Sequence, residues 1–114
     1  MNREIKFRCR LKSGNGWHYF EFPMREFAMG FEFYDMNSWT QFTSLKDKNC
    51  KEIFEGDIME DKTKPSMTKV WVVWNEAEAR WALEDNRVNG EYSLTYSKWE
   101  IIGNIYDNPE LIKP

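Results

Sequence analysis

Three observations predict a mainly β protein. Residues 4–12 alternate apolar and charged side chains without a fault, and short β-prone runs recur between Gly, Asn and Pro turn signals; 17% of the 114 residues are Phe, Trp or Tyr. Period-two alternation marks a half-buried strand, and several short strands at close spacing favour a sandwich or small barrel over βαβ units. Aromatic rings each remove about 150–250 Å² from water, so a chain of this length can close one modest, aromatic core.

In the first element Ile5, Phe7, Cys9 and Leu11 point one way and Glu4, Lys6, Arg8, Arg10 and Lys12 the other, which places the charged row on a solvated face. Ser13, Gly14, Asn15 and Gly16 supply hairpin-turn residues, and residues 17–22 return as a strand until Pro23. Residues 24–30 are ambiguous and too few for a stable lone helix, while residues 31–34 read as another short strand. Residues 38–45 are extended and residues 46–50 form a polar turn. Residues 51–59 resume apolar pairs around Gly56, where a bulge or a close backbone approach is expected.

A charged loop with Pro65 covers residues 60–69. Residues 69–74 and 80–84 are strands joined by a short link. After the Asn89-Gly90 loop, Tyr92, Leu94 and Tyr96 alternate with polar residues. Residues 99–106 provide the last strand, interrupted at Gly103 and Asn104, and Asn108-Pro109 begins a turn or one helical turn. From residue 52 onward, five short strands with one long hairpin loop suit an SH3-like small barrel over residues 52–114. Residues 1–51 are then an N-terminal β-hairpin and strand region packed on it. The expected barrel residues are Ile53, Phe54, Ile58, Val73, Trp81, Leu83, Ile101, Ile105 and Tyr106, with Gly56 and Gly103 allowing backbone turns.

The aromatic mass argues against disorder. Residues 1–6 lack the apolar centre of a secretion signal, and no stretch approaches the roughly 18 apolar residues of a membrane helix, so a cytoplasmic protein without a membrane partner is expected. Cys9 and Cys50 stand at no motif spacing and are expected reduced, Cys9 facing inward. The net charge of −3 is unevenly spread: residues 1–12 are basic and residues 75–91 acidic, a division that can pair across a fold or a subunit contact.

Catalytic chemistry finds little to work with. His18 is the only histidine, so no zinc set exists by inventory, and its aromatic neighbours make it a packing residue. Glu55, Asp57, Glu60 and Asp61 offer oxygen ligands but read more simply as a strand end and loop. Glu55 and Asp57 would share a face on a regular strand, a geometry that a bulge at Gly56 breaks. The glycines match no phosphate-binding loop. Neither a cofactor nor an enzymatic activity is expected.

Association has more behind it. Val70 to Trp74 is apolar on both faces; with Trp71 and Val73 turned inward, Val70, Val72 and Trp74 need another cover, supplied by a second layer or by a neighbouring subunit in a homo-oligomer. Lysines cluster on one turn (Lys46, Lys48, Lys51) and on the following loop (Lys62, Lys64, Lys69), a pattern for nucleic-acid contact that the acidic overall balance opposes.

Residues 3–8 (REIKFR), 40–58 (TQFTSLKDKNCKEIFEGDI) and 102–111 (IGNIYDNPEL), with a looser match at 72–75 (VVWN), resemble the YopX family of phage and prophage proteins. The resemblance spans nearly the whole chain, with two long tracts in a fixed order. Family members commonly carry Gly where this chain has Ser44 and Cys50, so those residues must accept a positive φ or remodel the turn between them. The resemblance implies an SH3-like C-terminal barrel, self-assembly and a phage or prophage origin, and it implies no established activity, catalytic residue or ligand. The function expected is therefore a non-catalytic protein-interaction or self-assembly module, with a host or phage protein as a further partner. The alternative is a nucleic-acid-binding accessory protein using Lys46, Lys48, Lys51, Lys62 and Lys64.

Overall fold

A computed structural model describes residues 5–13, 16–21, 31–64, 69–85, 94–95 and 98–112. The alternating opening run forms β1 (Lys6–Leu11), which pairs antiparallel with β2 (Trp17–Glu21). The Leu11 N–H donates to the Gly16 carbonyl at 3.1 Å as the chain reverses. β3 (Tyr34–Lys46) runs back along the other side of β1, and β4 (Glu52–Phe54) folds onto β3. These four form one sheet in the order β2-β1-β3-β4.

The second sheet contains β5 (Asp57–Glu60), β6 (Val70–Asn75), β7 (Arg80–Glu84) and β8 (Glu100–Asn104), in the order β7-β6-β5-β8 with every pairing antiparallel. The mainly β class is as the alternation predicts. Among the described residues the strands make two antiparallel sheets and no closed barrel.

Several local readings are corrected. Residues 31–33 form a 3-10 turn (Phe31–Phe33) instead of a strand, because the Phe33 carbonyl is drawn to the Lys12 N–H (3.0 Å) and β3 starts only at Tyr34. β4 pairs with β3, so a division between residues 51 and 52 cuts through a β-hairpin and does not follow the sheets. β8 runs through Gly103 and ends at Asn104, and Leu94 and Thr95 lie in a turn where an alternating strand is expected. The rest of that expected strand, the ambiguous segment 24–30, the Asn89-Gly90 loop and the Pro65 part of the charged loop lie outside the described residues. Pro109–Ile112 is a single 3-10 turn, as the Asn-Pro signal predicts.

The main core lies inside the second sheet and under the β3–β4 hairpin: Ile53, Met59, Val70, Val72, Leu83, Leu94 and Trp99, with Leu45, Trp81 and Ile101 packed against it. Each fully buried aliphatic side chain contributes roughly 1.5–3 kcal/mol. Val70 and Val72 take the inward positions of β6, and Val73 is only half-buried, the reverse of the expected assignment. Their cross-strand partners decide it: Val70 faces Met59 and Val72 faces Leu83, both core residues. A smaller aromatic cluster of Cys9, Phe20 and Tyr34, with Phe7, Leu11 and Trp39, covers the far face of the first sheet. Cys9 is a buried free thiol, and His18 packs against Phe20 at 4.6 Å between ring centroids.

The 40–58 tract is built from turn chemistry. Thr43 Oγ1 donates to the Ile53 carbonyl (2.8 Å), spanning the register shift between Phe42 and Lys46. Asp47 Oδ1 accepts the N–H groups of Asn49 (2.8 Å) and Lys51 (2.9 Å), while Oδ2 accepts that of Ile101 (2.9 Å), tying the turn to β8. Ser44 and Cys50 take φ of 72° and 64°, so both accept the left-handed backbone. Gly56 has φ 88°, and a Cβ there would stand 3.1 Å from Tyr106 Cε2.

Relieving the left-handed strain at a non-Gly residue is worth roughly 1–2 kcal/mol, and glycine's extra unfolded-state entropy returns about 0.5–1 kcal/mol of it. Ser44→Gly and Cys50→Gly should therefore each stabilise the fold by about 0.5–1 kcal/mol, read as an increase in the urea midpoint at unchanged slope. A loss of stability in both variants would refute the strain assignment.

Candidate functional site

The alternating charged row of β1 does not face solvent throughout. Arg8 is 7% exposed and pairs across 49 residues with Asp57, itself 2% exposed, through a 2.5 Å contact from Nη2 to Oδ1. The guanidinium carbon lies 4.4 Å from the ring centroid of Trp17 and 4.6 Å from that of Phe54, so the cation is sandwiched between two π faces. Asp57 Oδ2 accepts the Phe54 N–H at 2.8 Å, closing the tight turn at residues 55 and 56. Burial pushes the Asp57 carboxyl above its ordinary pKa, and the facing Arg8 and the Phe54 N–H draw it back only in part.

Above this pair lies an open cleft of about 520 Å³ where the first sheet meets the β5 and β8 edge of the second. Trp17 and Tyr19 of β2 wall one side, and Gly103 and Asn104 of β8 the other. Its charged groups are largely spent on one another. Lys6 pairs with Glu52 at 2.7 Å; Arg10 reaches Asp35 (3.2 Å), Asp107 (3.0 Å) and the Tyr106 carbonyl (2.8 Å). The Trp17 indole N–H donates to Asp107 at 2.9 Å. Asn104 holds the β8 end in place: its Oδ1 accepts the N–H groups of Tyr106 (3.0 Å) and Asp107 (2.9 Å), and its Nδ2 donates to Asp107 (3.1 Å).

Of the residues read as candidates, the five lysines are all exposed. The fold brings Lys48 and Lys62 together on Glu100, at 3.2 and 2.5 Å, while Lys51 lines the cleft. These contacts lower the Glu100 pKa to about 2, the hydrogen bond from Lys62 first and that from Lys48 next. Val70 and Val72 lie in the core and form no association surface, a correction that follows from the side of β6 they occupy; Trp74, on the same side but beyond the core, is 44% exposed and meets Trp81 edge-on at 5.0 Å. Glu55 and Asp57 are separated by the Gly56 bend. Glu55 is half-buried with its pKa raised by that burial, and Asp57 is committed to Arg8. Among the described residues no three of His, Cys, Asp and Glu gather at metal-binding spacing, and no helix is long and apolar enough to cross a membrane.

The Arg8–Asp57 joint escapes sequence reasoning because its partners sit in separate elements and neither stands out from its neighbours. Fold and cleft together define a class of protein: a small two-sheet β protein with a buried ion pair joining its sheets beneath an open, aromatic-walled cleft. The chain belongs to the YopX family; the family described as YopX protein matches residues 7–113. No curated protein matches it.

Removing one partner of a buried ion pair strands the other charge, a loss of about 3–5 kcal/mol, whereas removing both charges is far milder. Arg8→Met alone should cost that much in urea unfolding, and adding Asp57→Asn, whose amide oxygen can still accept the Phe54 N–H, should restore at least half. Strict additivity of the two substitutions would contradict the coupling.

Glu100 gives a pH signature. Its folded pKa lies below the ordinary value of 4.5, at about 2, so its contribution is present in full above pH 4.5 and is lost as pH falls toward about 2. Across that window wild type should lose more stability than Glu100→Gln, measured by urea unfolding at each pH. Parallel curves would remove the effect.

Proposed function

We propose that this protein is a non-catalytic interaction and self-assembly module, of phage or prophage origin and working in the bacterial cytosol. The observation that carries the reading is the pairing of the cleft's charges. With Arg8 paired to Asp57, Lys6 to Glu52 and Asp107 to the neighbouring Arg10, the cleft presents shape, aromatic surface and rim charge to a partner. Asp57 has both oxygens occupied, which leaves it poorly placed as a general base. Tyr19 at the cleft mouth is 52% exposed and Trp74 is 44% exposed, the large amphipathic rings that dominate protein contacts.

We also read the second sheet with the β3–β4 hairpin as an SH3-like barrel. Three observations support this: Ile53 and Leu45 pack into the second sheet's core, the chain passes from β4 to β5 through a single bend at Gly56, and β8 returns to pair with β5. Gly56 bridges the bend, donating to the Val72 carbonyl and accepting from the Ile105 N–H, both at 2.9 Å.

Light scattering across a wide concentration range tests the assembly. Wild type should rise in mass with concentration, and Tyr19→Asp or Trp74→Asp should weaken association at least tenfold, about 1.4 kcal/mol. Monomer mass throughout would exclude self-assembly and leave a host or phage protein as the partner, sought by affinity capture from phage-infected cells.

A further inference from the structure

Three turns distant in sequence converge at one end of the molecule. The turn at residues 47–51 is held to β8 by the Lys48 N–H donating to the Trp99 carbonyl (2.9 Å) and by Asp47 accepting the Ile101 N–H. The turn at residues 61–64 follows β5, whose last residue, Glu60, lies directly opposite Glu100. Together with Lys98, just before β8, these turns expose Lys46, Lys48, Lys51, Lys62 and Lys64 at this end. Most of the nearby acids are turned inward or already engaged, and the half-buried Glu60 reaches Lys69 at 4.0 Å. Asp47 and Asp61 are buried, with oxygens accepting backbone N–H groups, and Glu52 pairs with Lys6. The outward charge of this end is therefore positive although the chain is net acidic.

Glu100 is the exception. It is clasped by Lys48 and Lys62, with a third donor from Asn49 Nδ2 at 3.3 Å, yet it stands opposite Glu60, a like-charge cross-strand pairing that is unfavourable in itself. A lysine ammonium is a compact point charge that donates to any anionic oxygen, so a phosphate can compete with the carboxylate for the Lys48 and Lys62 pair. We propose that this end binds a nucleic-acid phosphodiester backbone, with Glu100 an internal anion that occupies the Lys48 and Lys62 pair until a phosphate displaces it. Lysines from turns far apart in sequence can meet several phosphates of one strand, and contacts of this kind position a strand without reading its bases. This inference is independent of the protein-interaction reading above: it centres on Lys48, Lys62 and Glu100, and of its lysines Lys51 also lines the cleft.

Fluorescence anisotropy with labelled oligonucleotides of about 20 nucleotides, single-stranded and duplex, tests it at low salt; one added phosphate contact is worth roughly threefold in affinity over a fourfold change in salt. Glu100→Gln should bind more tightly than wild type, and Lys48→Gln with Lys62→Gln more weakly and with a salt slope shallower by about 2. The two probes show which form of nucleic acid is held, and binding of either supports the proposal. Glu76→Gln, the same charge change at the far 76–79 turn, should leave affinity unchanged. The proposal is overturned if neither probe binds, if Glu76→Gln tightens binding as much as Glu100→Gln, or if polyglutamate displaces the oligonucleotide at equal charge concentration, which would assign the surface to an acidic protein.

Discussion

The fold depends on an ion pair held almost out of water. Arg8 enters from β1, an inner strand of the first sheet, and Asp57 from the first residue after the Gly56 bend, and the two meet between sheets that share no strand pairing. Bringing two ions out of water costs several kcal/mol for each, so such a contact survives only with further compensation. Here the Phe54 N–H satisfies the second carboxylate oxygen, and the Trp17 and Phe54 rings flank the guanidinium. The geometry favours one arrangement of the sheets over any sliding alternative. Apolar contact alone, being non-directional, would not impose that.

Around this joint the backbone bends at a few positions that tolerate little change. Gly56 turns the chain from one sheet to the next with Tyr106 pressed against it, and Gly103 lies where a Cβ would meet Asn108 Oδ1 at 2.5 Å. The two motif tracts therefore meet in space: the 40–58 tract supplies the bend and the acid, and the 102–111 tract supplies the strand and turn that close over them. What looked like two separate signatures is one structural unit. Its contacts are hydrogen bonds and close backbone approaches.

Local pattern made much of this legible. Perfect alternation located β1, the Gly-Asn cluster located the first reversal, and the Gly56 and Asn108-Pro109 signals marked a bend and a terminal turn that the fold contains. The same reasoning failed where two local patterns were equally permissible. Both faces of 70–74 are apolar, so period two could not say which side is inward, and only the packing of Met59 and Leu83 chose Val70 and Val72. The lysine turns were visible as residues, but their convergence on Glu100 was not, because it depends on how β5 and β8 pair.

By itself, then, the sequence determined the β class and the positions of most strands and turns, because these follow from periodicity and turn chemistry within a few residues, while the family is carried by the order of its long tracts. Tertiary structure alone decided which charged residue of β1 is buried, which face of β6 is core and which lysines share an anion. Those outcomes arise from contacts tens of residues apart, where the balance between desolvation and a partner's field has no local signal.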